Sequence, residues 1–224
     1  GVFVASCDKS VPAMLMSIGR LKEMSAIVVT GGVMEAHVLP GNLIPDDSAC
    51  ASNELLTLEQ IGKFDAWEKT GVIPKEQLDY YKQHACPSCG ACSFMGTAST
   101  MQVMAEALGL MLPGSALMPA TCEDLKEVAK EAGRQVMKLA QMGLKPRDMV
   151  TMKSFENAIM VHAAISGSTN SLLHIPAIAN EAGYDLPWWK YFDEASNQIP
   201  LLSHLAPGGP YSLKDLDLAG GMRA

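Results

Sequence analysis

No stretch of this chain approaches the about 18 consecutive apolar residues that a membrane-crossing helix requires. No basic run or arginine-rich stripe is present either, and 17 Lys plus Arg against 24 Asp plus Glu leave a formal net charge of −7. That balance argues against nucleic acid as the main partner. It leaves small anionic substrates open, because a local site can oppose the global charge. The five histidines show no metal-ligand spacing such as H-E-x-x-H, so each reads as structural. A separate second C-x2-C pair, which a zinc ribbon would need, is missing. There is no internal repeat, no low-complexity tract and no signal-peptide pattern. Gly1-Val2 already reads as mid-strand, which is compatible with an upstream segment.

What is there is an ordinary globular composition: 224 residues with 48% hydrophobic, enough for one large domain or two small ones around a buried core. The 15 methionines read mostly as core filling. Six cysteines occur, at positions 7, 50, 86, 89, 92 and 122. A chain of this length needs no disulfide staples, and Cys86, Cys89 and Cys92 form a C-x2-C-x2-C run. In a reduced compartment that spacing belongs to metal or cluster chemistry, so the protein reads as cytoplasmic.

Residues Val2-Phe3-Val4-Ala5 read as a buried strand that runs into Ser6-Cys7-Asp8-Lys9-Ser10. Ser10 can cap the next helix and Pro12 suits its first turn; from Ala13 to Leu21 that helix is apolar on nearly all sides. Ala26 to Thr30 forms a second apolar strand ending at Gly31-Gly32. Strand, helix and strand with short connections imply a parallel sheet, and ligands of such sheets sit beyond the carboxyl ends of the strands. The fold class expected is α/β, a parallel-sheet core flanked by helices, with an irregular peripheral excursion over the last forty or so residues around Trp188-Trp189 and several prolines.

Residues 35–53 read as an irregular loop. Thr57 and Gln60 have capping-box spacing and open a helix to about Lys69, and a polar helix runs from Lys75 to about His84. Gly96 to Thr100 precedes a helix with Ser99 and Gln102 at capping-box spacing, and such a turn offers free backbone N–H groups to an anion. Ser115 to Met118 suggests a short strand. Helices follow over Glu123–Met142, Phe155–Ile165 and Ser171–Ala182, the last with Pro176 as a kink or restart.

Cys7, Asp8 and Lys9 place a thiol, a carboxylate and an amine at one strand end; a polar turn capped by Ser10 is the plain alternative. Thiolates suit iron or zinc and carboxylates suit Mg²⁺, so the pair suggests two adjacent cofactors. An ammonium beside a divalent cation is unfavourable. A buried Lys9 with a lowered pKa resolves this, either as a base or as a carbamate formed with CO₂. Cys86, Cys89 and Cys92 can converge on one metal or cluster, although Pro87 and Gly90 turn the loop and the thiols need not all face one way.

The segments Cys7-Asp8-Lys9-Ser10-Val11-Pro12-Ala13, Ala85-Cys86-Pro87-Ser88-Cys89-Gly90-Ala91-Cys92, Gly96-Thr97-Ala98-Ser99-Thr100-Met101, Glu106-Ala107-Leu108-Gly109 with Leu112-Pro113-Gly114, and Gly167-Ser168-Thr169-Asn170 resemble the dihydroxy-acid dehydratase / phosphogluconate dehydratase family. The motifs occur in family order over nearly the whole chain. The resemblance implies that residues 1–224 are most of a cofactor-bearing amino-terminal α/β domain, without the carboxy-terminal β domain. It implies a hydro-lyase that turns a 2,3-dihydroxy acid into a 2-keto acid, with an iron–sulfur cluster (2Fe-2S or 4Fe-4S) and Mg²⁺. Dihydroxy-acid dehydratase of branched-chain amino-acid synthesis fits best, and a sugar-acid or 6-phosphogluconate dehydratase is the alternative.

Carried over by motif, Cys7 and Cys92 are cluster ligands, Asp8 and Lys9 are Mg²⁺ ligands, and Lys9 is the candidate catalytic group. Thr97 and Ser99 lie in a segment implied to line the substrate site. The resemblance assigns no role here to Cys86 or Cys89, and Val33 stands where many relatives have proline. It places a further cluster cysteine before Gly1, and a glutamate ligand and a serine base after Ala224. The chain by itself is therefore expected to be inert, and the full-length protein to be a homodimer. A non-catalytic metal or redox module built on Cys86, Cys89 and Cys92 is the reading from another class.

Overall fold

The computed structural model of the chain describes residues 1–39 and 55–223. The expected irregular loop falls mostly outside this range, as does Cys50. Strand β1 (Val2–Val4) pairs in parallel with β2 (Ile27–Val29), with Phe3 opposite Val28. Helix α1 (Ser10–Gly19) connects them, so the βαβ unit expected from the sequence is present. The α/β class follows: a small parallel sheet with helices around it.

Alternation along β2 decides how the layers assemble. Ile27 and Val29 point to one face and meet Ala132 and Val136 of α5 (Asp124–Gln141). Val28 points to the other and joins Val11, Leu15 and Ile18 of α1 in the main core. At the centre of that core lies α4 (Thr97–Ala107), in which every residue from Ala98 to Ala105 is buried. Around it stand α1, α7 (Met152–Ala164) and α8 (Ser171–Glu181), with α8 lying along α1. A short helix α6 (Pro146–Met149) precedes α7.

A smaller apolar cluster stands apart. The antiparallel pair β3 (His37–Val38) and β4 (Leu55–Leu56), a 3₁₀ turn over Leu58–Gln60, α2 (Ile61–Lys69) and α3 (Lys75–His84) enclose Leu39, Leu56, Phe64, Ile73, Leu78 and Tyr81. The capping box at Thr57 forms as the spacing predicts, with the Thr57 N–H donating to Gln60 Oε1 at 2.9 Å.

Several sequence expectations change. Strand β1 is not buried, because it lies at the edge of a two-stranded sheet and Val2 and Val4 are 43% and 64% exposed. Helix α1 buries one side only, leaving Ala13 and Ser17 exposed. Ser115 to Met118 is a series of turns, not a strand, while Pro119 makes an isolated bridge with Val33. Helix α8 runs through Pro176 without restarting.

The largest change is at the carboxy-terminal end, where α9 (Trp188–Gln198) packs on α7 and sends Trp188, Phe192 and Ala195 into the main core. An aromatic pattern short of aliphatic residues conceals an amphipathic helix here. A last short helix, α10 (Leu213–Leu218), is capped by Ser212, which accepts from the Asp215 N–H at 3.2 Å. Among the described residues no helix is long and apolar enough to cross a membrane.

Phe155 is fully buried on α7, with its ring centroid 5.4 Å from Trp188 and 5.6 Å from Tyr184. Truncating it empties the seam that holds α9. Phe155→Ala is expected to lower unfolding free energy by about 3–5 kcal/mol in a urea titration, with the Trp188 fluorescence transition moving first.

Candidate functional site

The site is built where the two parallel strands end. After β1 the chain turns at Ser6 and enters α1 through Cys7-Asp8-Lys9. Ser10 does not cap the helix as the sequence suggests. Lys9 takes the N-cap position without a side-chain bond, and the Ser10 hydroxyl closes a small ring instead. It accepts from the Cys7 N–H at 2.9 Å and donates to the Cys7 carbonyl at 3.2 Å. The Cys7 thiol lies 3.6 Å from Asp8 Oδ1, and Lys9 Nζ lies 3.2 Å from Asp8 Oδ2. That hydrogen bond from Lys9 holds the Asp8 carboxyl below the usual carboxylate range. Lys9 itself is not buried: its side chain is 70% exposed. The burial invoked from the sequence is therefore absent: none of the described residues covers the strand end above it.

The second strand end joins this turn to the cysteine run. The Gly31 N–H donates to Ser6 Oγ at 2.8 Å, and the Ala91 N–H donates to the Gly32 carbonyl at 2.9 Å. The residues just before Cys7 and Cys92 are thus bonded to neighbouring glycines. A Cβ on Gly31 would overlap the Ser6 hydroxyl. Gly32 has φ +82°, and a Cβ there would lie 2.7 Å from the backbone of Met118 and Ala120. Beyond the pair, the Val33 N–H donates to the Met118 carbonyl at 2.9 Å and Val33 bridges both Ala91 and Pro119.

This arrangement places Cys7 near enough to Cys92 for the charge of one thiol to act on the other. Burial, then the neighbouring Cys7 thiol and to a lesser degree that of Cys86, push the Cys92 thiol above its ordinary pKa. Cys92 is half-buried whereas Cys7, Cys86 and Cys89 are exposed. The convergence of Cys86, Cys89 and Cys92 on one metal does not occur. Among the described residues no group of three or more His, Cys, Asp or Glu side chains is placed to hold an ion. Gly90, at φ +120°, turns the loop between Cys89 and Cys92.

The turn before α4 forms a separate polar knot with the turn before α8. Thr97 Oγ1 lies 2.8 Å from Ser168 Oγ and accepts from Asn170 Nδ2 at 2.7 Å. The Ser168 N–H donates to Thr100 Oγ1 at 3.0 Å, and His162 Nε2 lies 3.1 Å from the Ser168 carbonyl. Thr97 is half-buried at the start of this knot. Ser99 is fully buried, and its hydroxyl donates to the Phe94 carbonyl at 2.8 Å, so it shapes the turn from within. The capping box read from Ser99 and Gln102 is not formed; α4 starts three residues earlier, with Gly96 at the N-cap.

Three residues near the strand ends escaped the sequence reading. Gln102 is fully buried in α4 and its Nε2 donates to the Ser6 carbonyl at 3.1 Å. Thr30 closes β2 with a buried hydroxyl, and His174 on α8 has a buried Nε2; neither atom has a hydrogen-bond partner. Burial, and the charge of nearby Lys9, hold the His174 imidazole below its ordinary pKa, with Asp8 opposing. No local pattern marks Thr30 or His174, and the capping-box spacing of Gln102 gives no sign of its bond to Ser6 across the core.

The donors present fit the cofactor chemistry expected from the sequence, in part. Cys7 and Cys92 offer two soft donors, and Asp8 is a hard donor on the same turn, with Oδ1 beside the Cys7 thiol and Oδ2 beside Lys9. Neither set is closed by this chain's described residues.

The whole chain, residues 1–224, matches the family described as Dihydroxy-acid/6-phosphogluconate dehydratase N-terminal. It is 41% identical over 223 residues to the dihydroxy-acid dehydratase of Maridesulfovibrio salexigens, covering 99% of this chain and 38% of that protein. It is 42% identical to that of Syntrophobacter fumaroxidans and 44% identical to dihydroxy-acid dehydratase 1 of Methanosarcina acetivorans, in each case over 100% of this chain and 38% of the relative. The chain therefore spans well under half the length of these curated relatives.

Two measurements check the junction. Gly32→Ala is expected to cost about 1–3 kcal/mol of stability by urea denaturation, from crowding and a disfavoured backbone. In the metal-free chain, the rate of Cys92 alkylation tracks its thiolate fraction. Because its pKa is raised, the midpoint of the rate–pH curve is expected above the ordinary thiol value of about 8.5.

Proposed function

This chain belongs to the dihydroxy-acid/6-phosphogluconate dehydratase family, and on that premise we propose that it forms the cofactor-bearing part of a hydro-lyase. The substrate is a 2,3-dihydroxy acid and the products are a 2-keto acid and water. The relatives named above are dihydroxy-acid dehydratases, which favours the dihydroxy-acid step of branched-chain amino-acid synthesis over a sugar-acid or phosphogluconate substrate. The observation that carries the reading is the junction of Cys7 and Cys92 through Gly31-Gly32, with Asp8 and Lys9 on the same turn.

In this reading Cys7 and Cys92 hold an iron–sulfur cluster, and Asp8 together with Lys9, the latter as a carbamate and not an ammonium, holds Mg²⁺. Bound there, the two would supply Lewis acidity for C–O cleavage and a template for the substrate carboxylate. The chain's own residues do the positioning. The Ser10 ring keeps Cys7 at the mouth of the strand end, and in the metal-free chain the Lys9 ammonium keeps Asp8 ionised. Lys9, exposed and adjacent to the carboxylate, is the group of this chain able to hold or pass a proton next to the substrate. Thr97, fixed by Ser168 and Asn170, presents a hydroxyl at the neighbouring turn.

Since neither donor set is closed, residues 1–224 alone are proposed to be inert. The rest of the site, and the homodimer expected of the full-length protein, then depend on further chain. The cytoplasmic assignment follows from the need to keep the thiols reduced.

The test is anaerobic reconstitution of the full-length protein with iron and sulfide, followed by metal analysis. Cys7→Ala and Cys92→Ala are expected to lose cluster iron, while Cys89→Ala retains it. Loss on Cys89→Ala with retention on Cys7→Ala would instead support a separate thiol-metal module. Asp8→Asn is expected to leave iron in place and lower Mg²⁺-dependent turnover of 2,3-dihydroxyisovalerate by 100-fold or more, as for loss of a transition-state contact of about 2.7 kcal/mol. Faster turnover of gluconate-type acids than of 2,3-dihydroxyisovalerate would reassign the substrate.

A further inference from the structure

A fully buried glutamine is costly unless its amide is bonded, and a leucine or methionine of similar size carries no such cost. Gln102 lies in the middle of α4 with no solvent exposure, among positions that are otherwise mostly apolar. Its Nε2 donates to the Ser6 carbonyl at 3.1 Å, while its Oε1 is buried without a partner. The amide is thus spent on one acceptor, and that acceptor is the peptide unit linking Ser6 to Cys7.

The other end of the same peptide is also held. The Cys7 N–H donates to Ser10 Oγ at 2.9 Å. A peptide unit is planar, so gripping both its C=O and its N–H fixes the plane from which the Cys7 side chain departs. The two grips come from different places. Ser10 is local, whereas Gln102 lies 96 residues from Ser6 on the helix that continues from the Cys92 loop. A shift of α4 would therefore move Cys7 and the end of the Cys92 loop together.

We propose that Gln102 is a positioning residue that sets the direction of the Cys7 thiol towards Cys92 by holding the Ser6–Cys7 peptide. This deepens the two-thiol reading proposed above. It adds a residue that touches neither cofactor nor substrate and acts only through Cys7.

The test reads thiol geometry in the protein without added iron, so its outcome is separable from that of cluster binding. A short dithiol-reactive bimane is added to the reduced protein, and Cys7–Cys92 crosslinks are quantified by peptide mass spectrometry. Gln102→Met, which keeps the volume and removes the donor, is expected to cut that crosslink about tenfold or more, with the melting temperature and Cys122 alkylation unchanged. Wild-type crosslinking in a folded Gln102→Met protein would overturn the proposal. A second measurement needs no variant at position 102. In protein labelled with ¹⁵N-glutamine, alkylation of Cys7 is expected to shift the Gln102 side-chain amide resonance, assigned by comparison with the free protein. An unmoved resonance would overturn the proposal whether or not Gln102→Met folds.

Discussion

Two consecutive glycines hold this site together. Gly31 bonds to Ser6 on one side and Gly32 to Ala91 on the other, so the ends of two elements far apart in sequence meet across one dipeptide. Neither position has room for a Cβ, and Gly32 needs a backbone that other residues avoid. Sheet, α1 and the cysteine run could each form without this contact. The relation between Cys7 and Cys92 could not, since each thiol follows directly on a residue bonded there.

Around this junction the chain sets two kinds of donor within three residues. Asp8 bonds to both neighbours, Oδ1 lying 3.6 Å from the Cys7 thiol and Oδ2 3.2 Å from Lys9 Nζ, so a soft and a hard donor stand side by side on one turn. The helix behind them, α4, is buried along eight consecutive residues and contributes its polar side chains to backbone groups of the turns in front of it. Those side chains are fixtures for loops, and the loops carry the chemistry. The same arrangement appears at Thr97 and Thr100, whose hydroxyls tie the turn before α8 to the turn before α4.

What could be read from the sequence follows local pattern. The βαβ unit, α3 and the Thr57 capping box come from periodicity and cap spacing, and they are found where expected. Cys7-Asp8-Lys9 was legible because three reactive groups stand together at a strand end. What was not legible depends on distant partners. The Ser10 hydroxyl looks like a helix cap until Cys7 folds back onto it. Gln102 looks like half of a capping box until the Ser6 carbonyl arrives from the other end of the fold. Helix α9 was hidden because Trp188 and Phe192 find their core only once α7 is in place. The C-x2-C-x2-C spacing promised convergence, but with Gly90 turning the loop no three donors gather on one ion among the described residues.

The wide sequence spacing of these bonds also sets an order in time. Ser6 waits 96 residues for Gln102, Thr97 waits 71 for Ser168, and Glu35 waits 179 for Lys214. As a chain leaves the ribosome from its amino terminus, Cys7 emerges long before the groups that aim it. Until α4 and α8 are in place the thiol is an unoriented nucleophile, open to oxidants and stray metals. On the reading proposed above, a cofactor entering this turn would arrive late in the life of the molecule, following folding and not guiding it.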